Sequence, residues 1–340
     1  MDLANKDGNG QKGEIMLLSV IIPCYNEQEV LPVFYQEIRK VVQDMPVEYE
    51  LLFIDDGSKD GTLEILRSLS KKDSHVSYLS FSRNFGKEAA MYAGFCNVRG
   101  DYAAVMDADL QDPPDMLPQM LDILASGGYD SVAARRVSRE GEPPVRSWFA
   151  KRFYRLINRI SDAEIVDGAR DFRLMKRDMV DTVVRMGEYN RFSKGIFGWI
   201  GFRTYWMSYE NVSRVAGVTK WSIWKLFCYA VDGMVNFSQV PLSLASWFGL
   251  FMTAVSFLAV AVVVVRRLVW GDPVAGWAST VCIMTLIGGI QLFCMGIMGQ
   301  YISKIYLEVK KRPHYIVAES GLRKTGCESK GGKADGQDGD

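Results

Sequence analysis

Val105-Met106-Asp107-Ala108-Asp109-Leu110-Gln111-Asp112-Pro113-Pro114-Asp115 is an apolar run that passes straight into a cluster of carboxylates and is then stopped by two prolines. Asp107 and Asp109 are both ionised at neutral pH, and carboxylates this crowded repel one another unless a cation sits among them. A hard divalent cation is the natural counter-charge, with carboxylate oxygens and the amide oxygen of Gln111 as ligands. The stretch reads as a metal-and-phosphate site at the end of a strand. The same residues share the alternating spacing of an EF-hand loop, but Asp112 stands where that loop needs glycine and Pro118 where it needs a bidentate glutamate. On this motif alone, a solvated acidic turn stays open.

Working outward, the residues before the acidic loop alternate between short apolar runs and helical periodicity. Leu17–Pro23 reads as a strand and Glu29–Gln43 as a helix. Tyr49–Ile54 is a second strand, followed by a helix to Lys71; Val76–Phe81 is a third, with a helix from Gly86 to Val98. Tyr102–Met106 is the fourth, with a helix to Ala125, and Asp130–Ala134 closes the series. Strands alternating with helices predict a mainly parallel, doubly wound α/β sheet. Right-handed crossovers then put the loops that follow the strands along one edge, where such sheets bind ligands. Asp55 and Asp56 end a buried strand just as Asp107 does, so both acidic groups should face one crevice. They are expected to accept hydrogen bonds from a base N–H and ribose hydroxyls. Gly57–Thr62 reads as a turn in which Asp60 or Thr62 caps the next helix. The chain has no G-x-G-x-x-G and no P-loop motif, which argues against a dinucleotide enzyme or a P-loop NTPase.

Acidic and basic residues balance at 40 each, so no global field favours nucleic acid. The 6 cysteines form no C-x-x-C pair and suit reduced thiols. Residues 1–14 are polar, lack a signal-peptide core, and are expected to be disordered and cytosolic. Residues 242–265 and 274–303 are almost wholly apolar, each long enough to cross a bilayer as a helix. Basic residues flank their outer ends, which predicts both termini in the cytoplasm and a multi-pass protein of the inner membrane. Residues 145–160 are basic and aromatic together. As a helix they place Trp148, Phe149 and Phe153 on one face and Lys151, Arg152 and Arg155 on the other, which suits a bilayer surface or an ordinary core, and the nearby apolar spans favour a basic interfacial helix. Residues 221–241 read as a juxtamembrane helix, and 304–340 as a mostly disordered cytosolic tail. Gly288, Gly289, Gly296 and Gly299 offer small-residue surfaces that would permit a homo-oligomer.

Taken in order, Pro23-Cys24-Tyr25-Asn26-Glu27, the Asp55–Thr62 turn, Ser82-Arg83-Asn84-Phe85-Gly86-Lys87 and Asp107–Pro114 resemble the motifs of the GT-A glycosyltransferases of family two. Further on come Asp171-Phe172-Arg173-Leu174-Met175, Asn190-Arg191-Phe192 and Arg214-Val215-Ala216-Gly217-Val218-Thr219-Lys220. With these and the two apolar spans, the chain resembles the bacterial polyprenyl-phosphate (bactoprenol) glycosyltransferases, relatives of dolichol-phosphate mannose synthase. The resemblance covers about Ile15 to Val317. It implies a GT-A catalytic domain over 15–220, a nucleotide-sugar donor, and Mg²⁺ or Mn²⁺ held by Asp107, Asp109 and Gln111. Pro23, Tyr25, Glu27, Asp55 and Asp56 fall on the positions that hold base and ribose, and Lys87 is a further donor contact. The family binds its lipid phosphate with an arginine and a serine four residues apart. Here Arg146 fits the arginine and Ala150 stands at the serine, which leaves Arg146, Arg135 and Lys151 as phosphate partners. Arg214 and Lys220 match a loop that closes over the diphosphate; a basic cluster on anionic lipid is the alternative.

The expected reaction is inverting transfer of a hexose to polyprenyl phosphate at the cytosolic face, followed by a separate flippase and use in cell-surface glycan modification. UDP-glucose is the favoured donor; GDP-mannose, UDP-N-acetylglucosamine and a UDP-aminoarabinose derivative are alternatives. A processive polysaccharide synthase would be expected to carry Q-x-x-R-W, which is absent. A non-catalytic membrane scaffold would be expected to have lost the acidic pair or the basic helix, and both are present.

Overall fold

The computed structural model describes residues 16–136, 166, 168–209, 238, 240–270 and 276–323. The basic 145–160 helix, with Arg146, Ala150 and Lys151, lies outside the described residues, as do the Arg214–Lys220 loop and nearly all of the 221–241 stretch. The alternation of apolar runs and helical periodicity produces β1 (Leu17–Cys24), α1 (Leu31–Gln43), β2 (Glu48–Asp55), α2 (Thr62–Lys72), β3 (Val76–Phe81), α3 (Lys87–Asn97), β4 (Tyr102–Val105), α4 (Met116–Ala125) and β5 (Ser131–Arg136). These follow the predicted elements to within a few residues. β1 lies between β2 and β4, parallel to both, and β2 pairs with β3 in parallel.

β1 and β4 are apolar on both faces because helices cover both. On one side α1, α2 and α4 bring Phe34, Ile38, Leu66, Leu117 and Met120 onto Leu18, Val20 and Ile22. The other side is covered by α3 and by two further helices, α5 (Arg177–Arg185) and α6 (Ser193–Trp199), through Ala90, Met91, Val180, Val183 and Ile196. α3 crosses β1 so closely that a Cβ at Gly94 would stand 2.2 Å from Ile21 Cγ2. Only glycine allows that approach.

The second half of the sheet departs from the parallel series. β6 (Ala169–Lys176) is inserted between β4 and β5, antiparallel to both, and β7 (Thr204–Tyr209) pairs with β5 in parallel. At the other edge β8 (Val317–Ser320) runs antiparallel to β3. The 8 strands therefore run in the order β7-β5-β6-β4-β1-β2-β3-β8. Reversal of β6 matters for the site, because its first residues come to the same edge as the last residues of β4, β5 and β7.

Two long helices precede β8: α7 (Val240–Trp270) and α8 (Trp277–Val309). They lie antiparallel, since the Tyr301 hydroxyl donates to the Ser238 carbonyl at 2.6 Å while Cys294 lies beside the Ala245 carbonyl at 4.0 Å. Large apolar side chains face outward along both, Trp247 at 70% exposed and Phe293 at 70% among them. Among the described residues, Leu286–Val309 is the 1 helical segment long and apolar enough to cross a membrane; on α7 the described apolar stretch is the shorter Val240–Val255.

Of the 304–340 stretch, read as a mostly disordered tail, residues 324–340 lie outside the described residues, and for residues 304–323 the structure corrects the reading. α8 runs on to Val309, and the chain then straps back across the sheet's edge. Glu308 accepts from the Tyr189 and Asn190 amides at 2.8 and 3.3 Å. Tyr315 stacks on Phe81 with ring centroids 4.9 Å apart. Glu319 receives Arg67 through Nε at 2.8 Å and Nη2 at 2.5 Å, and the Tyr78 hydroxyl at 2.6 Å.

Candidate active site

The sheet register assembles the site. Cys24 pairs with Asp55 and Ile21 with Val105, so the ends of β1, β2 and β4 finish at one level. The Met106 amide still donates to Ile21 at 3.0 Å, carrying Asp107 to the rim beyond the strand. Asp107 and Asp109 are half-buried in the turn that follows β4, while Ala108 between them is 3% exposed. Leu110 then takes φ of 55°, a left-handed turn that redirects the chain, and the Gln111 amide donates to Asp109 Oδ1 at 3.1 Å.

The β1–α1 and β2–α2 loops are sewn together over this rim. The Asn26 amide donates to Ser58 Oγ at 2.9 Å, the Lys59 amide to Asn26 Oδ1 at 2.9 Å, and the Glu27 amide to Thr62 Oγ1 at 2.9 Å. Asp60 Oδ1 accepts from the Thr62 amide at 3.1 Å, so Asp60 serves the start of α2 from one residue before the Gly61 cap position. Tyr25, at 42% exposed, projects from the rim. Pro23 and Glu27 are half-buried beside it.

Asp55 and Asp56 are both present at the crevice, and both carry internal tasks. Asp55, 1% exposed, accepts from the Ser58 amide at 3.0 Å and the Ser80 hydroxyl at 2.7 Å. Gly57 follows at φ of 65°, with Arg83 backbone so near that a Cβ would lie 2.4 Å from its carbonyl carbon. Asp56 accepts from the Phe85 and Gly86 amides at 2.6 and 2.9 Å. Burial pushes the Asp56 carboxyl above its ordinary value, against the pull of those two amides. Its structural role is to set the loop that delivers Lys87, the first residue of α3.

Lys87 joins three elements. Its Nζ lies 2.7 Å from Asp107 Oδ1 and 2.5 Å from Asp171 Oδ2. Burial opposes its charge, but the two carboxylates outweigh burial and hold the ammonium above its usual range. The converse holds for Asp171, where burial is overcome by Lys87, Lys194 and Arg170, and the carboxyl is held well below its usual range. Asp171 reaches this point because β6 runs backwards and begins at the rim.

Arg170 arrives by the same route. Its Nε donates to Asp112 Oδ1 at 3.0 Å and its Nη2 to Gln111 Oε1 at 2.9 Å, while the Tyr209 hydroxyl, from the end of β7, donates to Asp112 Oδ1. Asp112 is 1% exposed, and its Oδ2 has no partner among the described residues. Burial raises the Asp112 carboxyl above its ordinary value despite Arg170 and Tyr209. Sequence reasoning passed over Arg170, Asp112 and Tyr209. Arg170 sits directly before the Asp171-Phe172-Arg173 motif, but only the reversal of β6 brings it to the acidic loop. Arg173, three residues on, is buried at 4% exposed. Its guanidinium stands 4.3 Å from the Phe197 ring centre and 5.5 Å from that of Trp206, and burial pulls its pKa down to about 9. Arg135, the last residue but one of β5, is exposed and level with Ala169.

The donor set suits a hard cation. Asp107 and Asp109 offer carboxylate oxygens from one short loop, and Mg²⁺ or Mn²⁺ is typically held by one or two carboxylates with phosphate oxygens completing the shell. No group of three or more His, Cys, Asp or Glu among the described residues forms a cage by itself. Gln111, expected as a third ligand, has its amide oxygen on Arg170.

A mixed α/β sheet with an acidic pair on its carboxyl rim is consistent with the GT-A class. Residues 19–184 match glycosyl transferase family 2, and the chain belongs to that family; it is a glycosyltransferase. A Bacillus subtilis (strain 168) protein named only as a glycosyltransferase, CsbB, is 42% identical over 306 residues, 90% of this chain and 92% of that one. The SfII prophage-derived bactoprenol glucosyl transferase of Shigella flexneri is 41% identical over 305 residues, 90% of this chain and 98% of that one. The prophage bactoprenol glucosyl transferase homolog of Escherichia coli (strain K12) is 39% identical over 302 residues, 89% and 98% of the two chains.

Proposed function

We propose that this glycosyltransferase moves glucose from UDP-glucose to a polyprenyl phosphate, with inversion, at the cytosolic face of the membrane. The observation that carries the reading is the match to bactoprenol glucosyl transferases over 98% of their length at about 40% identity, which spans the rim and both long helices alike. α7 and α8 would both cross the bilayer, their outward apolar side chains meeting lipid.

The bond that breaks joins the sugar's anomeric carbon to the donor diphosphate, whose oxygen leaves with the electron pair; the bond that forms joins the same carbon to a phosphate oxygen of the lipid. A single displacement inverts the anomeric centre. Asp107 and Asp109 would hold the divalent cation, which when bound supplies Lewis-acid neutralisation of the departing diphosphate. Lys87 stands beside Asp107 and would offer its ammonium to the same oxygens. Arg214 and Lys220 would close over them, and Arg146 and Arg135 would receive the lipid phosphate through their guanidinium forks. Pro23, Tyr25 and Glu27 would frame the base and ribose, with Asp55 and Asp56 accepting hydrogen bonds on lone pairs beyond those already given to Ser58, Ser80, Phe85 and Gly86. A phosphate monoester is largely dianionic at pH 7, its second pKa being about 6, so the nucleophile needs no general base. Asp171, ionised and locked to Lys87, fits a positioning role better than proton transfer. Product would accumulate on the inner leaflet and require a separate flippase before use in cell-surface glycan modification.

The test is transfer of radiolabelled sugar to undecaprenyl phosphate by the purified full-length protein in detergent with Mg²⁺ or Mn²⁺. UDP-glucose, GDP-mannose, UDP-N-acetylglucosamine and a UDP-aminoarabinose derivative are compared. Label from UDP-glucose should reach the lipid as the inverted anomer, and Asp109→Asn should lower the rate by about 100-fold or more, as loss of a main electrostatic contact does. Label from another donor, or retained configuration, would overturn the proposal.

A further inference from the structure

We infer that Lys87 is a resident counter-cation: it occupies Asp107 while the donor is absent, and so makes uptake of the divalent metal depend on the nucleoside diphosphate. This inference rests on the reading of the rim as a sugar-nucleotide site.

The geometry that points to it is a competition for ligands. Asp107 and Gln111, both offered to a metal by the acidic loop, are already held by the protein's own cations. Lys87 Nζ sits 2.7 Å from Asp107 Oδ1 and 2.8 Å from Oδ2, covering both oxygens, and Arg170 Nη2 sits 2.9 Å from Gln111 Oε1. A divalent ion approaching Asp107 must displace an ammonium already at contact distance.

The two protein cations differ in how firmly they are held. Arg170 is fixed by its second bond, to Asp112, which is 1% exposed. Lys87 has a side chain 39% exposed on a flexible stem, and its backbone is set by the Asp56 bonds to Phe85 and Gly86. Its second carboxylate, Asp171, stands 2.5 Å away and can keep the ammonium when Asp107 is surrendered. A diphosphate entering the rim brings oxygens that attract both the incoming metal and the displaced ammonium. With the diphosphate the exchange is favourable at every contact; without it, the metal gains Asp107 only by stripping Lys87 of a partner. Metal and nucleotide should therefore bind with positive coupling, and Lys87 should be the main source of it.

The experiment measures Mn²⁺ binding by the full-length protein in detergent, with free Mn²⁺ counted by electron paramagnetic resonance, in the absence and presence of UDP. In the unsubstituted protein UDP should tighten Mn²⁺ by about tenfold or more, within the usual range of coupling between sites. Lys87→Met should bind Mn²⁺ alone about tenfold tighter, and its UDP effect should shrink towards unity. Linkage requires that Mn²⁺ lose the same factor in its effect on UDP, which checks the measurement internally. Lys87→Gln provides a second neutral side chain should the methionine variant not fold, and Lys87→Arg, which keeps the charge, should restore the coupling. Either neutral variant binding Mn²⁺ alone no tighter than the parent would overturn the inference. If the parent meanwhile transfers glucose, only the counter-cation role falls. If the parent binds neither UDP nor Mn²⁺, the sugar-nucleotide reading falls with it.

Discussion

Replacing Arg170 by methionine isolates the carboxylate that the acidic loop buries most completely. Asp112 would lose the guanidinium at 3.0 Å and keep only the Tyr209 hydroxyl, while its Oδ2 already lacks a partner among the described residues. Removing one member of a buried ion pair costs about 3–5 kcal/mol. Because the Arg170 side chain is 26% exposed against 1% for Asp112, the lower end applies, about 3 kcal/mol. At about 2–4 °C per kcal/mol for a domain of this size, the melting temperature should fall by about 6–12 °C at pH 7. Tryptophan-fluorescence melts of the detergent-solubilised protein would read this directly.

The pH dependence follows from the sign of the Asp112 shift. Its folded pKa lies above its unfolded value because of burial, so the stability it contributes is present at low pH and lost as pH rises through the folded pKa. Removing Arg170 raises that pKa further, so the deficit of the variant should narrow as pH is lowered from 7. Adding Asp112→Asn removes the stranded charge and should recover at least half of the loss. A variant that melts with the parent, or a double variant no better than Arg170→Met alone, would refute the account of Asp112 as a buried ion held by Arg170.

Two further substitutions probe other joints. Gly57→Ala must accept φ of 65° and a Cβ 2.4 Å from the Arg83 carbonyl carbon. Left-handed strain of about 1–2 kcal/mol and overpacking of about 1–3 kcal/mol should add. Gly127→Ala, at φ of 80° in open space, should show the strain alone, and equal melting temperatures for the two variants would remove the packing part of the argument. Glu319→Gln should loosen the β8 strap and speed amide hydrogen exchange at Gly321 and Ser82, which bond to Tyr78 and Ile316 across the β3–β8 edge. Arg67 and Tyr78 lower the Glu319 pKa to about 2, below its unfolded value. Its contribution is therefore present above the unfolded pKa and fades as pH falls from about 4.3 towards the folded value. Protection at these amides, taken relative to the intrinsic exchange rate at each pH, should fall in the parent over that window and stay level in Glu319→Gln; the same fall in both would rule the carboxylate out.

The first five strands and the helices between them were legible because short apolar runs alternate with helical periodicity, and Pro23, Asp55 and Asp107 mark where β1, β2 and β4 stop. β6 was not read as a strand, since Arg170, Asp171 and Arg173 break the apolar pattern that marks a covered strand. Arg173 is tolerated there by the rings of Phe197 and Trp206, contacts between residues distant in sequence. β8 is only 4 residues long and is held by Arg67, 252 positions away, which no local pattern reports. At the rim, the residue types of Asp55, Asp56, Lys87, Asp107 and Asp109 were legible, and the structure brings them to one edge of the sheet. Their wiring did not show, because backbone amides of Ser58, Phe85 and Gly86 are invisible to a reading of side chains. Arg170 and Tyr209 stayed hidden for the same reason as β6: their place depends on strand direction, not composition.

Among the described residues, the two edge strands of the sheet are also the strands that flank the helical hairpin in the chain. β7 precedes α7 and β8 follows α8, and they close opposite sides of the sheet. The join on the β8 side is short and anchored: Glu308 near the end of α8 takes the Tyr189 and Asn190 amides, Tyr315 stacks on Phe81, and Glu319 holds Arg67. A push on the end of α8 is therefore felt by β3 and its neighbours in the sheet, and the helical hairpin and the sheet that carries the rim are mechanically one piece along that edge.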